Sequence, residues 1–133
     1  MNELKSNIEG RVDAAFESFA GGLSGKLFFA GALTESSARA IEAATKAGAA
    51  SLVVAEELTA GKAAMRAGTV NFLVNSLDEA LRILKNEIRK KQPVAVAVLG
   101  AMELVVAEMK ERGVQPDVVL EDAGLGGEIL KQV

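Results

Sequence analysis

The chain has no cysteine, no histidine, no tyrosine and no tryptophan. Without cysteine there is no disulfide framework. Without cysteine and histidine there is no zinc–thiolate site and no Cys/His nucleophile–base pair. A metal would have carboxylates as its only charged side-chain ligands. Five phenylalanines are the whole aromatic content of 133 residues, which favours closely packed layers over an aromatic-rich recognition surface. A basic excess is also missing: 15 Lys and Arg stand against 18 Asp and Glu, a net charge of −3. That balance carries no nucleic-acid footprint, and none is expected as a partner. No apolar run approaches the roughly 20 residues of a membrane span. Met1–Lys5 lacks the apolar core of a signal peptide. The expectation is a cytoplasmic protein with no membrane partner.

What is present is mainly alanine, valine and leucine in a repeating order. Residues 27–30, Leu-Phe-Phe-Ala, form a short apolar run of the kind found in a strand covered on both faces. Gly31 and Ala32 permit a tight turn, and Thr34, Ser36 and Ser37 are caps for a helix from about Glu35 to Ala47, ended by Gly48. A second strand is expected over 50–55, then Glu56 and Glu57, then a short helix over 60–67 capped by Thr59. A third strand falls at 70–74. Ser76 with Glu79 spells a capping box opening a helix that buries Leu77, Leu81, Leu84 and Ile88. Arg89, Lys90 and Lys91 crowd its last turn, where cations suit the helix dipole. Pro93 introduces a fourth strand over 94–99. Gly100 turns the chain into a helix with Met102, Val105, Val106 and Met109 on one face, and a fifth strand follows at 117–120. The tail to Val133 is expected to carry a turn or two of helix from Glu128.

Strands alternating with helices imply an α/β fold, a doubly wound Rossmann-like parallel sheet of about five strands. The expected order is 3-2-1-4-5, with the first strand central and a switch point between strands one and four. There the turns at Gly31–Thr34 and Gly100–Met102 would face each other, where open α/β sheets bind ligands. Before this unit, Leu4, Ile8, Val12, Ala15, Phe16 and Phe19 fall on one face of a helix over 2–19, followed by a glycine-rich joint, Gly21–Gly25, expected to be flexible. The division is therefore 1–24, amphipathic helix and joint, and 25–133, the α/β domain. The helix either covers part of its own sheet or packs on a partner subunit. The second alternative leads to an expected homodimer or higher homo-oligomer.

Several stretches resemble the NAD-binding, Rossmann-like domain of urocanase (urocanate hydratase). Gly25-Lys-Leu-Phe28 is similar to that domain's entry to its first strand, Ala47-Gly-Ala49 to the turn before its second, and Ser76-Leu-Asp-Glu-Ala-Leu81 to a helix start after its third. Lys91-Gln-Pro93 through Val98-Leu-Gly100, then Glu111-Arg-Gly-Val-Gln-Pro-Asp-Val-Val119, resemble its later strands. The similarity is collinear from Gly25 to about Asp122. It implies a stand-alone domain of that family with a degenerate glycine turn. Where the family's first turn is rich in glycines that let backbone approach the NAD pyrophosphate, this chain has Gly31-Ala-Leu-Thr-Glu-Ser-Ser37. Its Gly-Asn-Ala after the fourth strand is Gly100-Ala-Met102 here, and its Gln-Thr-Ser-Ala-His run after the fifth is Glu121-Asp-Ala-Gly-Leu125. NAD is the cofactor that the resemblance suggests. Weak or absent NAD binding is expected, and so is no urocanate hydration by this chain alone.

The site residues expected to bind a ligand are Gly31, Thr34, Ser36, Ser37, Glu56, Glu57, Gly100 and Ala101. Thr34, Ser36 and Ser37 supply hydroxyls and amides to an anion, or simply cap their helix. Glu56 and Glu57 stand where a dinucleotide binder places its ribose-binding acid, or in a solvated loop. Glu103 faces the crevice or favours a first helical turn, and Glu121 with Asp122 ends the fifth strand. No nucleophile–base set and no Walker-type loop emerges, so no catalytic residue and no metal site is assigned. Two functions follow: a small-ligand module for a nucleotide or anionic metabolite, without autonomous catalysis, or a non-catalytic structural or regulatory oligomeric subunit.

Overall fold

The computed structural model describes residues 22–122 and 128–132. The expected amphipathic helix over 2–19 lies outside the described residues. The elements run β1 (Leu27–Ala32), α1 (Glu35–Lys46), β2 (Ala50–Ala55), α2 (Leu58–Ala67), β3 (Phe72–Val74), α3 (Leu77–Lys90), β4 (Val94–Leu99), α4 (Met102–Glu111), β5 (Val118–Asp122) and β6 (Glu128–Gln132).

Five strands are parallel, as the βα alternation requires, and the sheet order is β3-β4-β2-β1-β5-β6. This corrects the expected order. Strand four lies between two and three, not between one and five, and β1 sits between β2 and β5. The physical sign is burial. Every residue of β2 is buried, and β4 is buried over Val94–Val98, so these two hold the centre. Apolar runs show that a strand is covered but not which neighbour covers its edge, so β1 was equally eligible from sequence. The tail is also corrected. Residues 128–132 form β6, antiparallel to β5, with Leu120 opposite Leu130. Glu-Ile-Leu-Lys-Gln is a good helix former locally, but pairing with an open sheet edge overrides that preference.

Strand alternation sends two cores to opposite faces. One gathers Phe28, Val53, Ala95 and Ala97 under Ile41 and Ala44 of α1 and Ala64 of α2. The other gathers Leu52, Val54, Val96 and Val98 under Leu81 and Leu84 of α3 and Val105 and Met109 of α4. Helices therefore cover both faces, as in a doubly wound sheet. Close approach has a sequence cause at α2: a Cβ on Gly61 would stand 2.8 Å from Leu73 Cδ1. The joint before β1 is anchored at its described end, against the expectation of flexibility. Leu23 is fully buried in the first core and its amide donates to Ala47 O at 2.7 Å.

Candidate functional site

The order of the strands moves the switch point. The helix after β2 lies on the α1 face, and the helix after the adjacent β4 lies on the α3 face. Connections part to opposite faces between these two strands, so the crevice that attracts ligands is at the ends of β2 and β4. The sequence placed it between the first and fourth strands, which are not neighbours.

The β1–α1 turn is closed on itself. Ser37 N–H donates to Thr34 Oγ1 at 3.1 Å, and Thr34 N–H donates to Ser37 Oγ at 2.7 Å, a reciprocal capping box. Ser37 Oγ also donates to Ala32 O at 2.9 Å, and the side chain is buried. Ser36 is half-buried beside it. Gly31 has a structural duty: with φ +75° it sits where the register of β1 shifts against β2. A Cβ there would stand 3.6 Å from Met102 Cε, so the turn after β4 does reach the turn after β1, through a methionine.

The two turns at the switch point are different. Glu57 is the N-cap of α2 and Ala101 the N-cap of α4, and neither side chain caps its helix. Thr59, expected as a cap, lies inside α2, which starts at Leu58. The first amides of each helix have no intrahelical acceptor. In α2 the first helical bond comes from Gly61 N–H to Glu57 O, and in α4 from Leu104 and Val105 to Ala101 O. That leaves Leu58, Thr59 and Ala60 on one side, and Met102 and Glu103 on the other. The strand ends are fastened by Gly100 N–H donating to Ala55 O at 3.1 Å. Gly100 adopts φ +154°, with room for a Cβ only against Val105 Cγ2 at 3.4 Å.

Of the expected site residues, Glu56, Glu57, Gly100 and Ala101 are thus brought together, all exposed, while Gly31, Thr34, Ser36 and Ser37 belong to a separate turn one strand away. Glu103 joins the first group, one residue into α4. Two rim residues have no polar signature to flag them: Leu58 and Leu104, 48% and 71% exposed, stand in the first turns of α2 and α4. The backbone of Glu121 and Asp122 ends β5, two strands from β2, so those acids do not share the β2 turn. Among the described residues no group of three acidic side chains is set to hold a metal, and no helix is long and apolar enough to cross a membrane.

These residues do not fit an NAD pyrophosphate. The only glycine of the first turn serves a bulge, its helix start is already capped, and Glu35 occupies the first helical position. At the switch point Glu57 and Glu103 flank the open amides with like charge to a pyrophosphate. A family model described as the urocanase Rossmann-like domain matches residues 6–126. With that match spanning most of its length, and a doubly wound parallel sheet beneath it, the chain belongs to the urocanase Rossmann-like domain family.

Proposed function

We propose that this domain is a small-ligand-binding module, without catalysis of its own, whose site is the β2/β4 switch point. The observation that carries the reading is the pair of uncapped helix starts, α2 and α4, flanking the point where the sheet's connections diverge. Free amides at a helix N-terminus attract an anionic group, and two such starts follow these adjacent strands. Glu56 and Glu57 are exposed acceptors for ligand hydroxyls, as at the ribose of a nucleotide. Leu58 and Leu104 give an apolar rim. The ligand class is a nucleotide or another anionic metabolite carrying hydroxyls.

Amide-resolved NMR titration with AMP and with NAD tests this. Shifts for AMP are expected at Leu58–Ala60 and Met102–Glu103, and not at Thr34–Ser37. NAD is expected to bind more weakly than about 1 μM, the equivalent of roughly −8 kcal/mol. Micromolar or tighter NAD binding, or shifts centred on Thr34–Ser37, would overturn the placement.

A further inference from the structure

The chain as a whole is acidic, with a net charge of −3, but one stripe of it is not. Along α3, Arg82, Lys85, Asn86 and Arg89 are all exposed and line a shallow groove of about 360 Å³. Steps of three and four residues put them on one side of the helix. At 1.5 Å per residue, the three cations span about 10 Å.

The acids of α3 are committed elsewhere. Asp78, one turn before Arg82, bonds to Arg112. Glu79 Oε2 accepts from Asn75 N–H, and Glu87 pairs with Lys90 at 3.1 Å. Arg89 Nη2 donates to Asn86 Oδ1 at 2.9 Å. A neutral amide thus steadies that guanidinium and leaves its charge uncancelled. Among the described residues, neither Arg82 nor Lys85 makes an ion pair. The helix dipole does not account for them either. The basic residues of the last turn are Arg89 and Lys90, while Arg82 and Lys85 lie in the body of the helix.

We propose that this stripe is a docking surface for an acidic segment of a partner protein, with Arg82, Lys85 and Arg89 each taking a carboxylate. The paired donors of a guanidinium match the two oxygens of that group. The narrowness of the stripe selects the occupant. Helix α4 packs on the same face of the sheet and carries Glu103 and Glu111, both exposed. An anionic membrane or a nucleic-acid duplex laid over that face would bring its own negative charge onto those carboxylates. A single peptide segment follows α3 alone, and beyond a Debye length of about 8 Å the other acids of the chain are screened from it. Carboxylates repeating every 5–7 Å or so, one helical turn or two extended residues apart, meet all three cations.

Fluorescence anisotropy with labelled octaglutamate on the full chain, at about 50 mM salt, tests this. Saturable binding is expected, weakened roughly tenfold by Arg82→Gln/Arg89→Gln. Lys62→Gln/Arg66→Gln removes the same charge from exposed positions of α2, on the opposite face, and should leave affinity within about twofold. In the unsubstituted chain, octaglutamate should shift the NMR amide signals of Arg82–Lys90, a readout that needs no variant to fold. Absence of saturation by about 1 mM overturns the proposal. So do equal losses in the two variants, which would mean diffuse attraction, and shifts centred outside α3. An octanucleotide or phosphatidylserine vesicles that bind the chain more tightly than octaglutamate would also overturn it, in favour of a nucleic acid or a membrane. None of these readouts uses AMP, so failure here leaves the switch-point reading standing and the converse holds.

Discussion

The β1–α1 turn and the turns at the β2/β4 crevice face one physical problem, the unpaired amides of a helix start, and handle it in opposite ways. In the first, Thr34 and Ser37 satisfy each other's backbone and Ser37 adds a bond to Ala32 O. At the crevice, Glu57 and Ala101 leave the amides to solvent. Hydroxyls near a glycine therefore mark a closed joint here, and their absence leaves the two helix starts of the crevice uncapped. Helix α3 falls with the capped group, since Glu79 N–H donates to Ser76 Oγ at 3.2 Å. It follows β3 at the sheet edge, away from the switch point.

The largest effect is expected from removing the closed turn's buried hydroxyl. Ser37→Ala strands Thr34 N–H and Ala32 O. It should cost about 1–2 kcal/mol, a fall in Tm of roughly 3–10 °C. Ligand-induced shifts at Leu58–Ala60 should survive it. Thermal unfolding with a parallel titration measures both. If stability hardly moves while ligand binding is lost, the turn is a site rather than a joint and the comparison is wrong.

The reverse change comes next. Ala101 already has the extended backbone of an N-cap, with φ −77° and ψ 132°. Ala101→Ser should supply the missing cap and raise stability by about 0.5–1 kcal/mol. The same hydroxyl would occupy the amides assigned to the proposed ligand, so affinity should fall as Tm rises. An unchanged Tm would mean those amides are already satisfied.

How far the sequence carries differs between fold and site for related reasons. Periodicity and capping located β1, β2, β4 and α3 closely, because Leu27–Ala30, Val94–Leu99 and the Ser76/Glu79 pair are local signals. The neighbour of β2 is a nonlocal fact that an apolar run does not encode, and misplacing β4 misplaced the crevice with it. The places of Glu56, Glu57, Gly100 and Ala101 just after β2 and β4 were legible because strand ends are legible. Their meeting was not, and neither was the role of Thr34 and Ser37, since capping and anion binding use the same atoms. Asp117 shows the same limit. It reads as a charged residue opening the fifth strand, yet Leu27 N–H donates to its Oδ2 at 2.8 Å, joining the start of β5 to β1 across 90 residues of chain.

A smaller effect separates two buried serines that look alike in sequence. Ser51, the second residue of β2, is as buried as Ser37, but its Oγ has no hydrogen-bond partner. Its hydroxyl already bears the desolvation cost, so Ser51→Ala should be neutral or stabilising by up to about 1 kcal/mol. Denaturant unfolding of both alanine variants gives the contrast directly. A loss at Ser51 equal to that at Ser37 would mean the central strand depends on its hydroxyl after all.

The smallest effect lies between the starts and ends of helices on the α3 face. Arg112, just past α4, bonds to Asp78 in the first turn of α3, and its Nε lies 3.1 Å from Glu108 Oε2. The hydrogen bond from Arg112, aided by its charge, holds the Asp78 carboxyl below its ordinary value of 3.8. The partner guanidinium is pushed the other way and stays charged at every working pH. A carboxylate whose pKa is depressed on folding stabilises the native state above its unfolded value, and that contribution fades as pH falls through the folded one. Both groups are solvent-exposed, so the pair is screened and weak. Asp78→Asn should therefore lower Tm slightly at neutral pH. The gap from the parent chain should narrow below pH about 4 and shrink in 1 M salt. Thermal scans of the two chains at matched pH and ionic strength measure it. A gap that is as wide in acid as at pH 7 would place the aspartate's contribution in helix capping and not in its charge.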